Sequence, residues 1–146
     1  MVIGICSALV FGISALGYRS LIPVNGVTPI LQVPGNHFLK ATHSSGSGYH
    51  WLSIASGKVK GSRNAGGSVT NPSYTFNKGD LESLHVINED YTTHSRHNFN
   101  IDELNVHTKD LDYFGSESVL ISADRTGTFE YYCNIHPEMK GTITVE

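Results

Sequence analysis

Gly127-Thr128-Phe129-Glu130-Tyr131-Tyr132-Cys133-Asn134-Ile135-His136-Pro137-Glu138-Met139 joins two patterns in one stretch. The first half alternates. Phe129, Tyr131 and Cys133 fall on one side of an extended chain, Glu130 and Tyr132 on the other, which is the period of a half-buried strand. The second half sets a thiol, an imidazole and a thioether within seven residues. Packing gives no reason for those three together. As metal donors they are a soft thiolate, a borderline imidazole and a weak thioether, the ligand set of a copper ion that carries one electron at a time. Cys133 ends a strand on its apolar face, and a thiolate there is favourable only beside a bound cation.

Such a site needs a second imidazole. Arg96-His97-Asn98-Phe99 supplies the best candidate, because His97 begins an apolar alternation with Phe99 and Ile101. His94 lies three residues earlier and competes for the place, but DYTTHSRH reads as a polar turn. His37, His43, His50, His85 and His107 are scattered without ligand spacing. Met139, three residues from His136, suits a loop folded around one ion. Zinc is the rival metal for a Cys-His-His set, but a thioether is a poor zinc ligand. Copper follows from Met139 and from the Irving–Williams order. The expected ligands are His97, Cys133, His136 and Met139, holding one copper per chain between Cu(I) and Cu(II).

The rest of the chain bounds this reading. Its 146 residues suffice for one domain with a proper core. A net charge of −3 argues against nucleic acid as a partner. Of the two cysteines, Cys6 lies in an apolar N-terminal run and Cys133 in the candidate site, so they are not a structural pair. A lone thiol outside the cytoplasm needs a reason, and metal ligation is one.

Val2–Tyr18 reads VIGICSALVFGISALGY, without a charge. Residues 1–18 are expected to be a signal peptide or a membrane anchor, and either role places the remainder in the periplasm or at the cell surface. Prolines 23, 29 and 34 and the run Ser44-Ser45-Gly46-Ser47-Gly48 mark residues 19–45 as a linker. Residues 46–146 form the domain. Strands are expected at Tyr49–Ser56, Ser73–Phe76, Leu81–Asn88, His97–Ile101, Val119–Ala123, Thr128–Cys133 and Gly141–Glu146, with a Gly-rich basic loop over Lys58–Asn71. One helical turn is expected within Asn105–Leu111. This many short strands imply an all-β, two-sheet sandwich. Trp51, Tyr131 and Tyr132 are read as packing residues.

Four segments carry a resemblance: Asn77-Lys78-Gly79-Asp80; Asn88-Glu89-Asp90 followed by His97-Asn98-Phe99; Gly115-Ser116-Glu117-Ser118; and Gly127 through Cys133. In this order the chain resembles the cupredoxins across about residues 70–146, and the short Cys-x-x-His-Pro-x-Met loop is similar to the plastocyanin/amicyanin branch. The resemblance implies an eight-stranded Greek-key sandwich with copper at one end. It matches His97 and His136 to the two histidine ligands, Cys133 to the thiolate and Met139 to the weak axial ligand. Asn98 matches the position that ties the ligand loops together. Ile135 departs from it where the family often has proline, and residues 46–71 do not align to its small members. The implied role is electron transfer by a monomeric, non-enzymatic domain whose redox partners dock near His136. The alternatives are a copper carrier or chaperone, and an accessory electron-donor domain of a copper oxidase or reductase. Tyr132 and Asn134 flank Cys133 where a trinuclear oxidase would place histidines.

Overall fold

The structure, a computed structural model, describes residues 23–24, 28–29, 33–53 and 69–146. The expected signal or anchor segment with Cys6, the last three residues of the expected strand Tyr49–Ser56, and residues 58–68 of the Gly-rich loop lie outside the described residues. Pro23–Val24 (β1) and Thr28–Pro29 (β2) pair as a short antiparallel ribbon. The domain then runs through Gly35–Ser44 (β3), Gly48–Ser53 (β4), Ser73–Phe76 (β5), Leu81–Asn88 (β6) and Asn100–Ile101 (β7). A 3-10 turn at Asp102–Leu104 leads to Val106–His107 (β8), Ser116–Ser122 (β9), Gly127–Tyr132 (β10) and Lys140–Val145 (β11).

These strands form two mixed sheets, ordered β5-β11-β10-β7-β8 and β4-β3-β6-β9. β11 pairs β5 in parallel, and β3 pairs β6 in parallel; the other contacts within the sheets are antiparallel. The sheets face each other across one apolar core. Period-2 alternation puts Leu39, Ala41, Leu84, Val86 and Ile121 on the inner face of one sheet. Tyr74, Phe76, Phe129, Tyr131, Ile143 and Val145 line the other. Phe99 joins the layers, stacked on Tyr131 at 5.2 Å and edge-on to Trp51 at 5.8 Å. The all-β sandwich expected from the sequence is the observed architecture.

Two expectations are corrected. Residues 35–44 are not linker. They form the long strand β3, with His37, Leu39 and Ala41 buried on its inner side. The Ser-Gly run that reads as a tether is the tip of the β3–β4 hairpin, where Gly48 takes φ +64 and Ser47 N–H donates to Ser44 Oγ. Small polar residues suit a tight turn and a tether alike, so composition does not separate them. The helical turn falls at Asp102–Leu104 rather than within Asn105–Leu111. Asn105 ends it in the left-handed region at φ 51, which Asn tolerates better than most residues. Among the described residues no helix is long and apolar enough to cross a membrane.

Gly141 is opposite Tyr131 in the β10–β11 register. The Tyr131 phenol crosses over it to donate a 2.5 Å hydrogen bond to the Pro72 carbonyl. A methyl at 141 would collide with the Tyr131 hydroxyl and stand 2.7 Å from that carbonyl. Gly141→Ala is therefore expected to destabilise the domain by about 1–3 kcal/mol, the usual cost of overpacking, read as a melting temperature lower by several degrees. An unchanged melting temperature would show that the Tyr131–Pro72 contact yields freely.

Candidate metal centre

β10 carries Cys133 to the end of the sandwich, just beyond Tyr132, with its side chain fully buried. The chain then turns back on itself. Met139 N–H donates to the His136 carbonyl at 2.9 Å, and Cys133 N–H donates to the Met139 carbonyl at 3.0 Å. That carbonyl also accepts Trp51 Nε1–H from β4 at 3.0 Å. The six-residue return is thus closed and pinned to the opposite sheet, and the Met139 side chain is left fully buried.

His97 arrives from the other side. Its backbone exchanges two hydrogen bonds with Leu111, at 3.2 and 2.7 Å. Asn88, at the end of β6, donates from Nδ2 to the carbonyls of Leu111 and Ser95. Asn98 Oδ1 accepts the Asn134 N–H at 2.8 Å, and Asn98 Nδ2 donates to Asp110. One side chain so joins the segment bearing His97 to the residue after Cys133, the tie expected of Asn98.

The result is a compact donor cluster. Cys133 Sγ lies 4.0 Å from His97 Nδ1 and 4.0 Å from His136 Nδ1. The three donor atoms all lie within 4.8 Å of one another. For a late first-row ion such as zinc, metal–sulfur and metal–nitrogen bonds are about 2.3 and about 2.0 Å. A 4.0 Å gap is shorter than their sum, so one ion can touch both atoms, and the spacing fits a metal. Cys133 is the free cysteine among the described residues. His97 is fully buried and His136 half-buried.

Asp90 is the residue that sequence reading passed over. It is fully buried, and its Oδ2 stands 3.5 Å from His97 Nε2, on the far side of the ring from the sulfur. A carboxylate there fixes the tautomer, keeping the proton on Nε2 and the Nδ1 lone pair toward Cys133. Burial works to raise the Asp90 carboxyl. The hydrogen bonds from the Thr93 hydroxyl and N–H, from His97 and from Ser95 N–H outweigh it and hold the group below its ordinary range. An Asp followed three residues later by Thr is a local turn signature, and its hints of function were its place in the Asn88-Glu89-Asp90 segment and the histidine seven residues on.

Burial holds His97 below the usual histidine range, helped by the neighbouring His136 and opposed by Asp90. Burial likewise lowers His136, against the pull of Glu138 and Asp90. Both rings are therefore neutral at neutral pH, the form a metal ligand requires. Among the described residues no other histidine joins the donor cluster, although His43 is near enough to His136 to help lower it. His94 is exposed, at φ 55, and stacks on Tyr113 at 4.3 Å. His37 pairs with Glu82, His85 with Ser118, and His107 with Asn100.

A family model described as Cupredoxin-like domain matches residues 67–145. The chain belongs to that family. Among solved structures it is similar to a mutant of amicyanin in its reduced Cu(I) form at pH 4, with 19% identity and a TM-score of 0.43, covering 79% of this chain and 86% of that one. It is also similar to dithionite-reduced auracyanin from the photosynthetic bacterium Roseiflexus castenholzii, with 17% identity and a TM-score of 0.49, covering 79% of this chain and 99% of that one. No curated protein matches the chain.

The depressed histidines predict the acid behaviour of the metal-free protein. A folded-state pKa below the unfolded value means that the unfolded chain binds the proton first. Stability is then full above about pH 6.5 and falls as pH drops below it, by at most about 1.4 kcal/mol per pH unit for each such ring. Urea midpoints of the metal-free protein should fall between pH 7 and pH 5, and more steeply than those of His97→Asn. Parallel curves would mean that His97 is as easily protonated folded as unfolded.

Proposed function

We propose that this chain is a mononuclear copper protein that carries single electrons between redox partners outside the cytoplasm. The ligands are His97, Cys133, His136 and Met139. The observation that carries this reading is the pair of 4.0 Å distances from one buried cysteine sulfur to two imidazole Nδ1 atoms. A thiolate and two neutral imidazoles suit copper, and the buried thioether of Met139 follows in the same closed loop.

Copper held there supplies a one-electron couple between Cu(I) and Cu(II). The protein supplies the rest. Cys133 offers its sulfur from an apolar end of the core. Asp90 orients His97, and Asn98 fixes the distance between the two ligand segments. Trp51 and the Cys133–Met139 backbone bond keep the loop from relaxing when the charge at the site changes. His136, the half-buried ring, faces the side from which a redox partner reaches the site, and Ile135 beside it is an exposed apolar contact.

Three variants test the ligand set. Cys133→Ser should abolish the intense visible band that a thiolate–Cu(II) pair produces in the wild type, and most Cu(II) affinity with it. His97→Gly should open a position that added imidazole refills, while His94→Ala leaves the spectrum unchanged. Bleaching by His94→Ala with colour retained in His97→Ala would overturn the assignment.

Met139→Gln tests the fourth position. Replacing a thioether by a harder oxygen donor favours Cu(II), so the reduction potential should fall while copper stays bound. A potential equal to wild type by protein-film voltammetry would remove Met139 from the ligand set.

A further inference from the structure

The family match begins at residue 67 and leaves the β3–β4 hairpin uncovered. That hairpin reaches the donor cluster with two alternate residues of β4. Trp51 bonds the Met139 carbonyl. Two residues earlier, the Tyr49 ring lies on His136 with centroids 3.8 Å apart and planes at 33°. The same ring is 5.7 Å from His97, and the two imidazoles are 4.6 Å from each other, so three rings close on themselves. Across the hairpin His43, the register partner of Tyr49, packs against the Tyr49 ring with centroids 4.7 Å apart. The Tyr49 hydroxyl is placed as specifically as its ring. It lies 3.2 Å from Thr93 Oγ1 and 3.1 Å from Ser95 Oγ. Thr93 and Ser95 are the residues whose N–H groups bond Asp90, and Asp90 holds His97.

We propose that the β3–β4 hairpin is a clamp on the metal centre, with Tyr49 as its positioning residue. Its ring holds His136, and its hydroxyl holds the turn that orients His97. The role rests on the copper reading above. His136 needs such a clamp more than His97 does. It sits on a short loop, is half-buried, and has no carboxylate partner among its hydrogen bonds here, whereas His97 is fixed at both nitrogens. An imidazole that can rotate away opens the site to competing ligands. A ring stacked on its face removes that freedom without occupying either nitrogen. The clamp therefore acts on how long a metal stays bound and how little the site rearranges.

The test uses Tyr49→Leu, which removes the ring, and Tyr49→Phe, which removes only the hydroxyl. In the metal-free wild type, NMR should show nuclear Overhauser contacts between the Tyr49 and His136 rings and one set of His136 ring signals. Tyr49→Leu should broaden or split those signals. In the Cu(I)-loaded protein, capture of copper by an added chelator should be about three- to tenfold faster in Tyr49→Leu, the worth of one aromatic pair. Tyr49→Phe should fall closer to wild type than Tyr49→Leu. Equal capture rates in Tyr49→Leu and wild type, with far-UV circular dichroism unchanged, would overturn the proposal. So would the absence of Tyr49–His136 contacts in the metal-free wild type, a result that stands even if Tyr49→Leu does not fold. A wild type that binds copper without a thiolate band would instead overturn the copper reading, leaving the ring contact to be judged by NMR alone.

Discussion

A buried sulfur 4.0 Å from two imidazole nitrogens is the constraint on which this end of the molecule depends. All three groups are costly to bury, because each loses water and the thiolate form loses it most. Left alone, such side chains would swing to the surface. Here Asp90 holds the His97 ring, and most of the remaining restraint comes from backbone and amide groups around the three side chains. The Met139 carbonyl takes two donors, the Leu111–His97 backbone pair closes a bridge, and Asn98 and Asn88 bond across segments distant in the chain. The ligand cluster is arranged by backbone and amide groups around it, so its geometry belongs to the fold rather than to the ion. On the copper reading proposed above, a site built this way would meet either oxidation state with nearly the same atoms in nearly the same places.

The two sheets contribute unequally. The β5-β11-β10-β7-β8 sheet delivers Cys133 and the return loop, and the segment leading into β7 delivers His97. The opposite sheet supplies no donor to the three-atom cluster, yet it supplies part of the restraint. Asn88 ends β6 and bonds the strand-like segment carrying His97, while Trp51 and Tyr49 come from β4. Closing the sandwich and closing the site are thus the same event. The Trp51 ring fills the core between Phe99 and the loop while its N–H anchors Met139, so a change there would loosen packing and ligand geometry together.

Much of this was legible in the sequence. Strands Ser73–Phe76 and Leu81–Asn88 match their expected bounds because both are short, β-branched or aromatic runs between turn residues. The alternation through Phe129, Tyr131 and Cys133 placed the thiol inward, and there it is. His97 and His136 stand beside Cys133, as the sequence grouped them, although His97 comes from 36 residues upstream. What was not legible has a common cause. β3 begins after three prolines and ends in a Ser-Gly run, so its ends look like linker, while its partners Leu84 and Val86 lie more than forty residues away. Asp90, Trp51 and Tyr49 likewise act through partners distant in sequence or through a turn motif common at any surface. Periodicity reports the face a side chain occupies; it is silent on which distant loop that face meets.

Burial separates the two histidines, and the separation has consequences. His97 is sealed in the core with a carboxylate on its second nitrogen, while His136 is half-buried beneath Tyr49. A fully buried ring bonded on both sides cannot meet a partner protein and cannot readily leave. It therefore anchors the site. The half-buried ring is the more accessible of the two, and on the proposed reading the exposure that would serve electron exchange would also invite loss of the ligand. A stacked aromatic reconciles the two demands, since it restrains the ring through its face and leaves the ring edge free. The hairpin outside the family-matched residues is the part of this chain that brings such a ring to His136.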